Sequence, residues 1–330
     1  MYRVLNRCLA KLMITGLVLQ LTACGMAPHA VSPTTIGETV PRTDKAFLND
    51  PDNFQFVIVG DRTGGHRPGI FKRAMTQINW LQPEFVMCVG DLIEGYTEDK
   101  ARVLAQWDEM DGMLNSLDMP FFYTVGNHDI TNPMMAEIWQ QRLGQTYYHF
   151  VYKNVLFLSL NTEDPPVALS KHHIDKAVAL ENMMEKDPEG TQKRILSRRK
   201  DGPPPTLPGS IHISDKQVAY VEQVLAENPD VRWTLVFMHK PAWKSNDAQF
   251  ERIEKMLQDR DYSVIGGHEH YYSYTRRHDR DYIDMGTTGG VWLSTGPGSE
   301  DHISWVTMTE EGPVFANIKL DGLSDKEGLP

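Results

Sequence analysis

The sequence predicts an α/β fold in which several strands deliver polar residues to one edge of a sheet. Three observations predict it. Short apolar, β-branched runs recur and close alike, on glycine and then a polar or charged residue: FQFVIVGD at 54–61, EFVMCVGD at 84–91 and FFYTVGNHD at 121–129. Between the first two, Ile70, Ala74, Ile78 and Leu81 recur at roughly helical spacing, which makes a β-α-β unit. Further on, the amphipathic stretch ISDKQVAYVEQVLAENP precedes another apolar run, VRWTLVFMH at 231–239. In such sheets polar groups gather at the carboxyl ends of the strands.

The elements follow in chain order. FQFVIV is a short apolar, β-branched strand, and EFVMCVG reads as a buried one in which Cys88 is a packing residue. TYYHFVYKNVLFLSLN at 146–161 reads as a hairpin turning at Lys153-Asn154. Residues 163–210 fit poorly: a polar helical stretch, the basic run KRILSRRK at 193–200, then a proline-rich segment. They read either as a surface insertion or as a lid or partner-binding arm over the strand ends. DYSVIGGHEHYYSYTRR and DYIDMG supply further strands, with Tyr272 and Tyr274 packing a sheet face. HISWVTMTEEGPVFANIKL is a closing antiparallel hairpin.

The N-terminus is not part of this body. Arg3, Arg7 and Lys11 precede the apolar run LMITGLVLQLTA at 12–23, which is short for a permanent span. Leu21-Thr22-Ala23-Cys24-Gly25 resembles the lipobox of bacterial lipoproteins, in which the cysteine is lipidated and becomes the first mature residue. The expected organisation is therefore a leader at 1–23, a Pro- and Thr-rich tether at 24–53, the body at 54–320 and a tail at 321–330. Membrane attachment through lipidated Cys24 would put the body outside the cytoplasm.

Composition narrows the partners. With 33 Lys+Arg against 44 Asp+Glu the net charge is −11, more negative still once the leader's three cations are removed. Such a chain lacks the basic surface of a nucleic-acid-binding protein. Three cysteines provide no disulfide framework.

The residues at the strand ends carry the chemistry. They are Asp61, Asp91, Asn127-His128-Asp129, His239, and His268 and His270. One histidine at a strand end is ordinarily structural. Five strand ends converging on such groups are hard to explain by packing, because charges gathered in a crevice must be paired or metal-bound.

The ordered set Gly60-Asp61-Arg62-Thr63, Gly90-Asp91, Gly126-Asn127-His128-Asp129, His239 and Gly267-His268-Glu269-His270 resembles the calcineurin-like metallophosphoesterase family. The resemblance spans about residues 54–277 and implies a four-layer α/β/β/α sandwich of two facing sheets flanked by helices. It also implies hydrolysis of a phosphate monoester or diester on a small-molecule or macromolecular substrate. The cofactors implied are two divalent or mixed-valence ions, Mn, Fe or Zn, which clamp the phosphoryl group and activate water. By carry-over Asp91 bridges the two, Asp61 and His270 bind the first, and Asn127, His239 and His268 bind the second. His128 assists the leaving group, with Asp129 fixing its ring.

Position 63 departs from the pattern. The family commonly carries histidine there, and Thr63 removes an imidazole from the first metal. Water replaces it, or His66 reaches back through Gly64-Gly65, or the first site is weak. Arg62 or Arg67 is a candidate for holding substrate oxygens. The alternative function is a metal- or phosphate-binding protein on the same fold with weakened catalysis. Trp243 and His302 are read as core residues rather than as borders of the site.

Overall fold

Alternate residues of the first strand, β1 (Phe54–Val59), enter different cores: Phe54, Phe56 and Ile58 pack in one, Val57 and Val59 in another. Side chains on a strand alternate between faces, so β1, apolar at every position but Gln55, is covered on both. The computed structural model describes residues 50–167, 170–202 and 211–327, together with 43, 45, 48 and 204. The leader, Cys24 and most of the tether lie outside the described residues. The chain divides into two units, Met1–Pro51 and Asp52–Pro330, and every helix and strand named below belongs to the second.

Two sheets supply the inner layers. The first has the order β11-β10-β1-β2-β3, where β2 is Phe85–Cys88, β3 Phe121–Phe122, β10 His302–Thr309 and β11 Gly312–Lys319. Its β1, β2 and β3 run parallel, while the β10-β11 hairpin closes the sheet antiparallel to β1. The second has the order β4-β5-β6-β7-β9-β8. These strands are β4 Tyr148–Tyr152, β5 Val155–Ser159, β6 Trp233–Phe237, β7 Tyr262–Gly266, β8 Ser273–Arg277 and β9 Arg280–Asp284. Strands β5, β6, β7 and β9 are parallel. Phe56, Phe85, Phe157 and Phe237 meet between the sheets, with the Phe56 and Phe85 rings stacked 5.2 Å apart.

Helices cover the outer faces. On the first sheet lie α1 (Ile70–Leu81), α2 (Lys100–Leu114) and α3 (Pro133–Leu143), whose Ile78, Trp107 and Ile138 pack against Val57, Val86 and Cys88. On the second, α6 (Asp215–Glu227) and α7 (Ala248–Leu257) pack Val221 and Phe250 against Leu156, Val236 and Val264. The result is the four-layer α/β/β/α sandwich expected. Asp99, Asn132, Ser214 and Asp247 accept backbone N–H bonds at the starts of α2, α3, α6 and α7, which ends each helix where the polar caps stand.

The hairpin at 146–161 forms as β4-β5, and Lys153 and Asn154 both adopt positive φ at its turn. Two expectations need correction. The run FFYTV is a strand only at Phe121–Phe122. Tyr272 packs against the inter-sheet core, but Tyr274 is 54% exposed, because β8 is an edge strand and that position faces water. Residues 171–196 form two helices, α4 (Lys171–Lys186) and α5 (Pro188–Leu196).

Candidate metal centre

Parallel strands end together, so the loops after β1, β2 and β3 meet those after β6 and β7 at one edge. Asp61 follows β1, Asp91 β2 and Asn127 β3, while His239 follows β6 and His268 and His270 follow β7. Asp91, His268 and His270 are held at φ 58°, 73° and 51°. Such conformations cost an ordinary residue energy and cluster at functional sites. Gly126 is required by proximity: a Cβ there would lie 2.2 Å from Asp91 Oδ1.

The residues expected to hold the second metal converge closely. One ligand atom each from Asp91, His239 and His268 lies within 4.8 Å of the other two. His239 Nδ1 lies 2.8 Å from the Val89 carbonyl, which can only accept, so Nδ1 carries the proton. In the neutral ring Nε2 then presents a lone pair. It faces Asp91 Oδ2 at 3.0 Å, Asn127 Oδ1 at 3.0 Å and His268 Nδ1 at 3.2 Å. Asn127 Nδ2 donates to the Tyr96 hydroxyl, which turns Oδ1 inward. A carboxylate, an amide oxygen and two imidazole nitrogens gathered on one point form a donor set that suits a transition metal. Without one a proton substitutes: burial opposes a charge on His239, but Asp91 outweighs it and raises the pKa to about 9. Burial and the neighbouring His239 push His268 down, keeping it a neutral donor.

The first-metal group is smaller. His270 Nδ1 is engaged by the Val291 carbonyl, and its Nε2 stands 3.3 Å from Asp61 Oδ2. Asp61 also accepts the His268 backbone N–H at 2.9 Å, which couples the two groups. Burial opposes charge on Asp91, but His239 and His128 together hold it well below the usual carboxylate range.

The family described as calcineurin-like phosphoesterase matches residues 54–272, about two thirds of the chain. The chain belongs to the calcineurin-like phosphoesterase family. It is therefore a metallophosphoesterase, a metal-dependent phosphoester hydrolase. Solved structures agree on the fold. A dimetal phosphatase from Danio rerio is 14% identical, with a TM-score of 0.53 over 81% of this chain and 99% of its own. A purple acid phosphatase from yellow lupin (Lupinus luteus) is 12% identical, with a TM-score of 0.55 over 82% of this chain and 52% of its own. Among curated proteins no sequence matches.

Three sequence expectations for this phosphoesterase do not match the geometry. Asp129 does not hold the His128 ring. Its buried carboxylate accepts backbone N–H bonds from Asp91, Leu92, Ile93 and Gly126, tying the loops after β2 and β3 together. Burial and the Asp91 charge push its pKa up to about 7. The His128 ring is held instead by the Glu94 carbonyl, 2.7 Å from Nδ1, and by the Tyr96 ring at 4.2 Å. Arg62 is already engaged elsewhere. It is 4% exposed and donates to the Leu92 carbonyl and to Glu109. Burial pulls its pKa down, and the Glu109 and Glu94 charges oppose that shift. His66 is not drawn to the first metal, because its Nδ1 lies 2.9 Å from Glu94 Oε1. Arg67 is likewise engaged, paired with Asp301.

Sequence reasoning misses Glu94, whose side chain and backbone do separate work. The carboxylate accepts the Gly65 and His66 N–H groups, while the carbonyl orients His128. Burial opposes its ionisation, but the His66 hydrogen bond and the His128 charge bring its pKa down. It also misses Glu269, inside His268-Glu269-His270. Glu269 binds Lys244 at 2.6 Å, and Lys244 also pairs with buried Asp284, so an ion network backs the ligand turn. Position alone flags neither residue. Trp243 packs on Tyr282, and buried His302 lies edge-on to Tyr272, so both are core residues.

Proposed function

We propose that this metallophosphoesterase hydrolyses phosphate monoesters or diesters by water attack, with His128 beside the leaving oxygen. The observation that supports it best is the set of lone pairs meeting at His239 Nε2, from Asp91, Asn127 and His268. Bound there and at Asp61 and His270, with Asp91 shared, two Mn, Fe or Zn ions would supply Lewis acidity for the phosphoryl oxygens and for water. His128 is suited to proton transfer rather than ligation. With Nδ1 donating to Glu94, Nε2 is left to carry the exchangeable proton, 4.0 Å from Asp91 Oδ2. Tyr96 limits the tilt of that ring, and Asp129 keeps the Asp91 and Asn127 loops in register. Thr63 leaves the Asp61 side with one imidazole fewer, and water is the natural replacement because His66 is engaged by Glu94.

Metal analysis of the purified protein, with hydrolysis of p-nitrophenyl phosphate and bis-p-nitrophenyl phosphate in added Mn, Zn or Fe, tests this. Metal retention with turnover of at least one ester is expected. Absence of both, under every metal, overturns the reading, and metal retention without turnover favours a weakened binding protein.

We also propose that the enzyme works outside the cytoplasm, held to a bacterial membrane by a lipid on Cys24. The support is the basic start, the short apolar run and the sequence Leu21 to Gly25. Cys24→Ser is expected to move the protein from the membrane fraction to the soluble fraction. Unchanged partitioning rules lipidation out.

A further inference from the structure

The insertion helix α4 (Lys171–Lys186) forms one wall of the cavity over the metal centre. That cavity, about 270 Å³, has Asp91, Asn127, His128, His268 and His270 on one side and Lys176, Ala177 and Leu180 on the other. The three α4 residues fall on one helical stripe. Leu180 packs directly on Gly65: a Cβ there would come within 3.1 Å of its Cδ2, so the helix lies close against this glycine, whose φ is 90°. The wall is braced from three directions. Glu181 of α4 pairs with Arg102 of α2. Thr191 of α5 donates to the Met183 carbonyl, and Gln192 exchanges two hydrogen bonds with the Trp292 backbone, at 3.0 and 2.9 Å.

The charge inventory then singles out one residue. A phosphomonoester dianion needs cations beyond the metals, yet Arg62 is bound to Glu109, Arg67 to Asp301 and Lys244 to Glu269 and Asp284. Lys176 is the one lysine or arginine lining the cavity among the described residues. Beside it, Ala177, Leu180 and Leu293 of the facing loop are apolar. The cavity, about 270 Å³, is slightly smaller than the ~300–1,000 Å³ usual for small-molecule sites, which suits a phosphoryl group with a compact alcohol.

We propose that Lys176 is the substrate-binding cation of this enzyme, and that α4 selects compact phosphomonoesters whose alcohol is apolar. This rests on the proposed hydrolase function, so its test uses binding as well as turnover. Phenylphosphonate and methylphosphonate, dianions that carry the phosphoryl charge but no hydrolysable ester, are titrated calorimetrically into the metal-loaded protein. Phenylphosphonate is expected to bind roughly tenfold more tightly, since its ring leaves water against the apolar wall. Lys176→Met is expected to weaken both ligands by roughly tenfold, the scale of a charge-assisted contact. It should also raise the KM for p-nitrophenyl phosphate with kcat and metal content unchanged, and Lys176→Arg should restore most of the affinity.

Equal Kd values for the two phosphonates would overturn the apolar selection. Unchanged Kd and KM in Lys176→Met, or a loss that Lys176→Arg does not rescue, would overturn the role of Lys176. A wild type that binds phosphonates but turns over no ester would count against the hydrolase function alone.

Discussion

Asp91→Asn is expected to deplete the metal centre and lower kcat/KM by about 10³-fold or more, on the order of 4 kcal/mol of transition-state stabilisation. Asparagine is the right replacement because it tolerates the φ of 58° at this position and keeps the side-chain volume against Gly126. Its oxygen can still accept the His128 backbone N–H that Oδ1 takes at 2.9 Å, so the loop should survive. What is lost is the charge facing His239 and, in the proposed mechanism, shared by both cations. Metal content, kcat/KM and a thermal melt together decide it. A folded variant that keeps wild-type metal and turnover removes Asp91 from the bridge.

The pH dependence of metal retention arises from the same contact. Proton and cation compete for His239 Nε2, whose pKa in the metal-free protein is about 9. Below that pH, binding must displace a proton, so affinity is expected to rise with pH and to level off near 9. In Asp91→Asn the charge that raises His239 is gone, and the levelling should move to lower pH. Equilibrium dialysis over a pH series spanning neutral to alkaline reads both curves.

His128→Ala is expected to keep its metal and to slow turnover by about 10²–10⁴-fold, the range for a positioned general acid. The ring's Nδ1 is committed to the Glu94 carbonyl, and its Nε2 stands 4.0 Å from Asp91 Oδ2, outside the close set that meets at His239. Steady-state kinetics beside metal analysis separates the roles. Metal loss matching that of Asp91→Asn would make His128 a ligand rather than an acid.

The positions that had to be one particular residue type were the ones legible in the sequence. The convergence of Asp91, Asn127, His239 and His268 is legible because few side chains suit such a cluster and the strand ends put them in order. The buried strands were legible for a similar reason, since a run apolar at every position has to be covered on both faces. Arginine is different: Arg62 follows Asp61, but its target depended on Leu92 and Glu109, far along the chain. Asp129 misled in the same way, because its nearest neighbour in sequence is His128 while its hydrogen bonds go to the backbone around Asp91 and Gly126. Helix α4 is polar enough to pass for a solvated insertion. Its place beside the site shows only in the fold, where Lys176, Ala177 and Leu180 line the cavity.

The ligands come from both halves of the sandwich: Asp61, Asp91 and Asn127 from the sheet containing β1, and His239, His268 and His270 from the sheet containing β6. A cation held among them joins segments nearly 150 residues apart, from Asp91 to His239. Such a cation would be a reversible staple across the seam as well as a reagent, and its binding energy would count toward holding the two sheets together. Stripping the metal would thus remove a cross-link from a body whose one cysteine among the described residues, Cys88, is free.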